Sequence, residues 1–391
     1  MPTIAAVVET PIHRSYRVDQ VAGMFDLDVA KKARQTFAVD VPGLEEPWQI
    51  GLIVGPSGSG KSTVAREAYG ERLIERCEWS RDRAVIDGFG DVPVKEIAQV
   101  LTSVGFSSPP AWLRPYHVLS NGERFRCDLA RALIESRDHD GLVVFDEFTS
   151  VVDRTVAKIG SAAVAKAIRK RELCQRFVAV TCHYDVAEWL EADWVLDMAS
   201  RRLARGRLRR PSIEIQVAAV HRSAWRLFRR HHYLNTSLSR AAKCWCAFWG
   251  DVPVAFTAWI SRGTRSRGED QPRWTEHRTV VLPDYQGIGI GNRISEAGAS
   301  IVAGCGYTAQ STTSHPGMSH YRSASPLWER RRLGHATDDR AHPLPNERAQ
   351  KRRQARSGGR ITAGFLYRGP ALENATAERL FYCRPRPWLC G

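Results

Sequence analysis

Residues 55–63 read Gly-Pro-Ser-Gly-Ser-Gly-Lys-Ser-Thr and follow the apolar run 48–54, Trp-Gln-Ile-Gly-Leu-Ile-Val. No other segment constrains the fold as strongly. The pattern G-x-x-x-x-G-K-S belongs at the junction of a buried strand and a helix, and so requires an α/β fold. Gly55, Gly58 and Gly60 let successive backbone N–H groups turn toward one point, where side chains would block the approach of phosphate oxygens. The helix that opens there adds its positive N-terminal end. Such a loop predicts a nucleotide phosphate site lined by Gly55, Ser57, Gly58, Gly60, Lys61, Ser62 and Thr63. In it Lys61 is placed for the β- and γ-phosphates of ATP and Ser62 for Mg²⁺.

Three further segments follow in a fixed order. The first is Leu119-Ser120-Asn121-Gly122-Glu123. The second is the apolar strand Leu142–Phe145, delivering Asp146 and Glu147. The third is a strand from Phe177 to Thr181 ahead of His183. A carboxylate at a strand end of this kind holds Mg²⁺, and the next one orients or deprotonates the attacking water. Together with the glycine loop, the set resembles the ABC-type ATPase family, whose signature reads LSGGQ. The resemblance implies that Ser120 and Gly122 contact the γ-phosphate of ATP held by a second copy, so that ATP binding makes a homodimer. It implies Asp146 and Ser62 as metal ligands, Glu147 as the catalytic carboxylate and His183 as the γ-phosphate sensor. Asp153 matches the aspartate of the following loop, and Phe25 is the candidate aromatic for stacking on adenine.

Two departures set this chain apart. Asn121 and Glu123 stand where the family has Gly and Gln. Lys61 and Ser120 are 59 positions apart (120 − 61), where transporter subunits carry more, including a helical insert and a glutamine loop. Gln99 lies in a helix-like stretch and reads as a surface residue. The pattern is similar to the compact ABC ATPases of nucleic-acid metabolism more than to a transporter engine.

At 391 residues the chain has room for two domains. Residues 1–200 carry 24 Lys+Arg and 29 Asp+Glu, a net of −5. The rest carry 33 basic (57 − 24) and 13 acidic residues (42 − 29), a net of +20. The step falls at the Arg-rich segment 201–210, a basic linker or an exposed final strand. The expected division is therefore an ATPase domain at 1–208 and a second domain at 209–391, with a basic arm at 329–360. A strongly basic half favours a nucleic-acid partner over an acidic-site one. The N-terminus has no basic start followed by a long apolar core, and no apolar window reaches the roughly 18 residues of a membrane span. The nine cysteines are scattered, with Cys244 and Cys246 too close for a zinc knuckle. An odd count of unpaired spacing fits reduced thiols and a cytoplasmic location with no membrane partner.

The second half reads as a strand over 212–217, a helix over 220–230, then strands over 243–249, 252–261 and 274–282. The last ends in Pro283-Asp284-Tyr285 and opens into Gln286-Gly287-Ile288-Gly289-Ile290-Gly291-Asn292 and a helix. Element order and loop resemble the GNAT acyltransferase superfamily, an α+β fold. Gln286, Gly289 and Gly291 match its Q/R-x-x-G-x-G/A motif. The resemblance implies that Gln286, Gly287, Gly289, Gly291 and Asn292 bind acetyl-CoA or another acyl-CoA. A dinucleotide-binding loop would follow the first strand of its domain and read G-x-G-x-x-G. The resemblance also places a carboxylate near the end of the preceding strand, where Glu276 and His277 lie, and a tyrosine after the next strand, where Tyr321 lies. A general base needs a pKa near working pH, which suits His277 or a partly buried Glu276. Ordinary strand-face polar residues would look the same. His231, His232, Tyr233 and the segment Ser314-His315-Pro316-Gly317 are candidates for the acceptor side. The fold expected is thus α/β, a P-loop ABC-type ATPase domain followed by a GNAT-like α+β acyltransferase domain. The expected activity is ATP-dependent acylation of a nucleic-acid base. The alternatives are a non-catalytic nucleic-acid-binding domain or a protein or small-amine acetyltransferase.

Overall fold

A computed structural model of the chain describes residues 3–11, 13–26, 32–75, 77–136, 141–170, 176–232, 236–261, 272–335 and 361–385. Tyr233 and most of the expected basic arm (336–360) lie outside the described residues. The architecture is mixed α/β in two compact units. One comprises Met1–Val92, Ser103–Gly105 and Trp112–Pro211, the other Pro93–Thr102, Phe106–Ala111 and Ser212–Gly391.

In chain order the first half carries β1 (Thr3–Pro11), α1 (Tyr16–Phe25), β2 (Lys32–Asp40), β3 (Ile50–Val54), α2 (Lys61–Tyr69) and β4 (Leu73–Ile74). It continues with α3 (Val94–Ser103), α4 (Asn121–Glu135), β5 (Leu142–Phe145), α5 (Arg154–Arg169), β6 (Arg176–Thr181), β7 (Trp194–Asp197) and β8 (Arg202–Arg205). β1 and β2 form an antiparallel ribbon. The main sheet runs β4-β5-β6-β3-β7-β8, parallel throughout except for β8. β3 and β5 are buried at every residue, as expected of parallel strands covered on both faces. Arg169 pairs with Asp193, whose carboxylate also accepts from the backbone N–H groups of Gln49 and Ile50 at 2.8 and 2.9 Å. This fixes the start of β3 and, through it, the loop at its end. The Arg-rich segment after residue 200 forms β8, an exposed edge strand.

The second half carries β9 (Gln216–Ala219), β10 (Lys243–Trp249), β11 (Val252–Ser261), β12 (Arg273–Val281), α6 (Ile290–Gly304), β13 (Thr308–Thr313), α7 (Pro316–Ala324), β14 (Trp328–His335), β15 (Ile361–Tyr367) and α8 (Asn374–Tyr382). Its sheet runs β14-β15-β13-β12-β11-β10-β9. The expected strand over 212–217 is displaced to β9. The expected helix over 220–230 is broken into short turns, Arg222–Ala224, Trp225–Phe228 and Arg229–His231. β12 and β13 are the parallel pair, joined by α6. Their ladder covers only Arg273–Thr275 against Thr308–Gln310, while β11 and β15 pair along their other edges. A β-bulge in β12 opposite Ala258 and Trp259 leaves His277 without a counterpart on β11. Glu276 and Thr279, three residues apart, would face opposite sides of a regular strand. The bulge brings them onto the same side, where the Thr279 hydroxyl donates to Glu276.

Candidate functional site

In the first unit the strands β5, β6 and β3 are adjacent and parallel, so their carboxyl ends lie along one edge. That edge is where α/β sheets present ligand sites. It carries Asp146 and Glu147 after β5, His183 after β6 and the glycine loop after β3. Gly58 and Gly60 take left-handed backbone angles (φ 77° and 87°), and Gly60 stands immediately before α2. A Cβ at Gly55 would come within 2.9 Å of Met198 Cβ and Ser59 Oγ, so only glycine fits between them. A Cβ at Gly58 would meet nothing within 4 Å, which leaves that side of the loop open to a ligand. Lys61 Nζ donates to the Pro56 carbonyl at 2.9 Å, back across its own loop.

Asp146 is buried, and its Oδ1 accepts from the Glu147 N–H at 2.8 Å. Glu147 itself is left-handed (φ 50°), a conformation that non-glycine residues seldom adopt and that turns its side chain away from the strand line. Buried polar atoms without a hydrogen-bond partner among the described residues gather on these loops: Ser59 Oγ, Thr149 Oγ1, Ser150 Oγ and His183 Nδ1. Burial, then the Arg154 charge, lowers the His183 pKa from its ordinary value, so the ring is neutral near pH 7. This donor and acceptor set fits a triphosphate with Mg²⁺: Lys61 for phosphate, Ser62 and Asp146 for the metal.

Ser120 caps α4 in a reciprocal box with Glu123. The Glu123 N–H donates to Ser120 Oγ at 3.3 Å, and the Ser120 N–H donates to the Glu123 carboxylate at 2.9 Å. A Cβ at Gly122 would meet Val156 at 3.3 Å. Asp153 caps α5, accepting from the Thr155 and Val156 N–H groups. Phe25 ends α1 and is 67% exposed.

In the second unit Gly287 and Gly289 are left-handed (φ 95° and 100°), and Gly289 stands just before α6. Gly291 lies where a Cβ would come 3.1 Å from Val281. Asn292 Oδ1, on the first turn of α6, is a buried acceptor with no hydrogen-bond partner among the described residues. Left-handed glycines, a helix N-terminus and this acceptor fit the diphosphate and amides of an acyl-CoA. Gln286 is placed by its side chain, whose Nε2 donates to the Val281 carbonyl at 3.0 Å.

Behind the loop lies a buried polar knot that the sequence did not signal. Arg322, on α7, is 0% exposed. It donates to Glu276 Oε2 at 2.9 Å, to Ser295 Oγ at 2.7 Å and to Ser311 Oγ, and its guanidinium lies over Trp328. Burial would raise the Glu276 pKa. The Arg322 charge and the hydroxyls of Ser311, Thr279 and Ser295 outweigh it, and the net shift is downward. Glu276 is thus a fixed carboxylate with its lone pairs committed. The Tyr321 hydroxyl donates to Glu296 Oε1 at 2.9 Å, and burial raises its pKa. His277, at the bulge, accepts from the Ser239 N–H at 3.3 Å. His232 packs edge-on against Trp225 (5.6 Å between rings), and His231 accepts from Arg230. Among the described residues no group of three or more His, Cys, Asp or Glu side chains could hold a metal, and no helix is long and apolar enough to cross a membrane.

Residues 208–318 match the family model of the acetyltransferase (GNAT) family. Similar solved structures include a dimeric ATP-binding cassette in a post-hydrolysis state bound to ADP and Pi, 15% identical, covering 44% of this chain and 93% of that one with a TM-score of 0.35. Another is an ATP-binding cassette of an ABC transporter, 15% identical, covering 44% of this chain and 83% of that one with a TM-score of 0.31. No curated protein matches the chain.

Proposed function

We propose that this chain, whose residues 208–318 form a domain of the GNAT family, joins ABC-type ATP hydrolysis to transfer of an acyl group from acyl-CoA onto a nitrogen of a nucleic-acid base. The observation that carries the reading is the presence, in one chain, of two strand–glycine loop–helix junctions with different surroundings. One has carboxylates and a histidine on neighbouring strand ends. The other follows a strand interrupted by a bulge at His277. In the first, Lys61 and the loop amides bind phosphate, Asp146 and Ser62 hold Mg²⁺, and Glu147 orients the attacking water. His183, neutral, reads the γ-phosphate. Ser120 and Gly122 serve the site of a second copy, so turnover requires a homodimer. In the second, a nitrogen of the acceptor attacks the thioester carbon and the C–S bond breaks, while the nitrogen's proton passes to His277 Nε2, which gives up the Ser239 N–H to take it, and on to the departing sulfur, so that CoA leaves as the thiol. Glu276, tied to Arg322, shapes the wall rather than acting as the base.

A nucleic-acid acceptor is favoured by the net +20 of residues 201–391, with exposed arginines on the edge strands β8 and β14. An exocyclic amine reaches such a site only when single-stranded or flipped. The test is fluorescence anisotropy with single- and double-stranded probes across a salt series, followed by mass spectrometry of the nucleosides after incubation with ATP and acetyl-CoA. Steep salt dependence and a modified base are expected. Absence of binding at low salt would move the acceptor to a protein or small amine. Binding without acylation would leave a nucleic-acid-binding domain.

A further inference from the structure

β11 and β12 disagree in length by one residue, and a closed set of side-chain hydrogen bonds bridges the disagreement. Thr257 of β11 stands opposite Thr279 of β12, and Trp259 stands opposite Glu276. Between these two pairs β11 advances two positions and β12 three, so His277 is the extra residue. Trp259 Nε1 donates to Thr257 Oγ1 at 3.1 Å, the Thr257 and Thr279 hydroxyls lie 3.0 Å apart, and the Thr279 hydroxyl donates to Glu276. Chemistry fixes every direction in this chain. Burial would raise the Glu276 pKa, but the Arg322 charge holds the group ionised, so it can only accept. Thr279 spends its one proton there. Thr257 must therefore donate to Thr279, and it accepts from the indole, which has only a donor to give. Trp259 and Thr257 are fully buried, and α6 covers them closely: a Cβ at Gly298 would come 2.5 Å from Trp259 Nε1 and 3.3 Å from Thr257 Cγ2.

A regular ladder would place His277 opposite Trp259, since alternate residues share a face. Its ring would then lie under α6 and Glu276 would turn to the other side, because a slip of one residue exchanges the faces of a strand. The hydrogen-bonded set closes only in the bulged register, in which Glu276 meets both Thr279 and Arg322. His277 is left to meet the Ser239 N–H at 3.3 Å, and Arg278 beside it donates to the Ser237 carbonyl at 3.0 Å. We propose that Thr257 and Thr279 are positioning residues for acyl transfer: their hydroxyl pair ties the bulge in register and so aims His277. Their part in the chemistry rests on His277 as the base in the function proposed above.

The test uses the full-length protein and follows hydrogen exchange of the Ser239 amide by NMR. Thr279→Val matches the shape of the side chain and removes the hydroxyl. It should speed Ser239 exchange about tenfold while the amides of the β9–β10 ladder keep their protection. Thr279→Ser retains the hydroxyl and should exchange as the wild type does. Thr257→Val breaks the same link from β11 and should reproduce the faster exchange, so the outcome does not depend on the folding of one variant. With acetyl-CoA and a single-stranded oligonucleotide, Thr279→Val should lower kcat about tenfold and leave KM for acetyl-CoA within about twofold. Unchanged Ser239 exchange in the valine variants, equally fast exchange in Thr279→Ser, faster exchange throughout the β9–β10 ladder, or an unchanged kcat would each overturn the inference. A His277→Gln variant that transfers the acetyl group as fast as the wild type would overturn His277 as the base, and the threonines' part in the chemistry with it. Their hold on the bulge is read by exchange alone.

Discussion

Gly55–Lys61 and Gln286–Asn292 both run from a strand into the first turn of a helix, with a left-handed glycine, Gly60 or Gly289, at the junction. Around the first loop several buried polar atoms have no partner among the described residues, and Lys61 donates back to its own loop. Around the second the charged groups are committed: Glu276 to Arg322, Glu296 to Tyr321 and Arg293. Uncommitted groups can take hold of a charged ligand and its metal. Committed ones offer a rigid wall, and leave recognition to backbone N–H groups and a helix end. The two loops therefore share a main-chain geometry and differ in their surroundings, with unpartnered polar side chains beside the first and paired ones beside the second.

The largest effect is expected from removing a charged side chain beside the first loop. Glu147→Gln should lower ATP turnover by about 10²–10⁴-fold while nucleotide still binds, and should hold an ATP-bound dimer on size-exclusion chromatography. A monomer at saturating Mg-ATP would refute the shared site. At the second loop the largest effect should be on stability. Arg322→Met leaves Glu276 buried and unpaired and should cost about 3–5 kcal/mol in a denaturant titration. Adding Glu276→Leu should recover most of that loss, and a double variant no better than the single would show that the two residues do not act as a pair. The pair also carries a pH signature. Because Glu276 is held below its ordinary pKa, its contribution is complete above about pH 4.3 and is lost as pH falls through the depressed value. Acid unfolding of the double variant should lack that component.

Gly289→Val addresses main-chain recognition directly, since valine rarely adopts φ 100° and its branches would stand over the helix end. Acetyl-CoA at 100 times its Kd should stabilise the wild type by about 2.7 kcal/mol in a thermal melt and the variant not at all. Equal shifts would remove the loop from the binding site. The smallest effect concerns His183. With its pKa lowered, ATP turnover should vary less than about twofold between pH 8 and 6.5 and decline only below the ordinary histidine value. A decline centred at or above that value would mean the ring is exposed to solvent in the working state.

The strands β3, β5, β10 and β11 were legible because continuous apolar runs bounded by glycine or acidic residues admit little else. The glycine loops were legible because backbone angles of that kind require the residue. Glu123 reads as a departure from a signature, yet Ser-x-x-Glu is itself a helix-capping pattern, and the spacing carried that information. Arg322 was not legible. Its burial depends on Trp328 and Phe365, beyond its own helix, and on the short ladder between β12 and β13. The bulge at His277 is equally invisible, because it is a property of register with β11. Neither charge nor pattern marks Pro93–Thr102 and Phe106–Ala111 as part of the second unit, since helices packed on either unit would need the same apolar stripe.

That segment also sets an order of events during synthesis. α3 presents Ile97, Ala98, Val100 and Leu101, all buried in the finished fold. The rest of the second unit begins only at Ser212, 101 positions after Ala111 (212 − 111). At roughly 5–20 residues per second, the helix waits on the order of 5–20 s before its neighbours leave the ribosome. For that interval the Ser107 N–H and carbonyl are without Gln286 and His315, their partners in the finished fold. A gene cut at residue 208 would separate Ser107 from both of these partners for good.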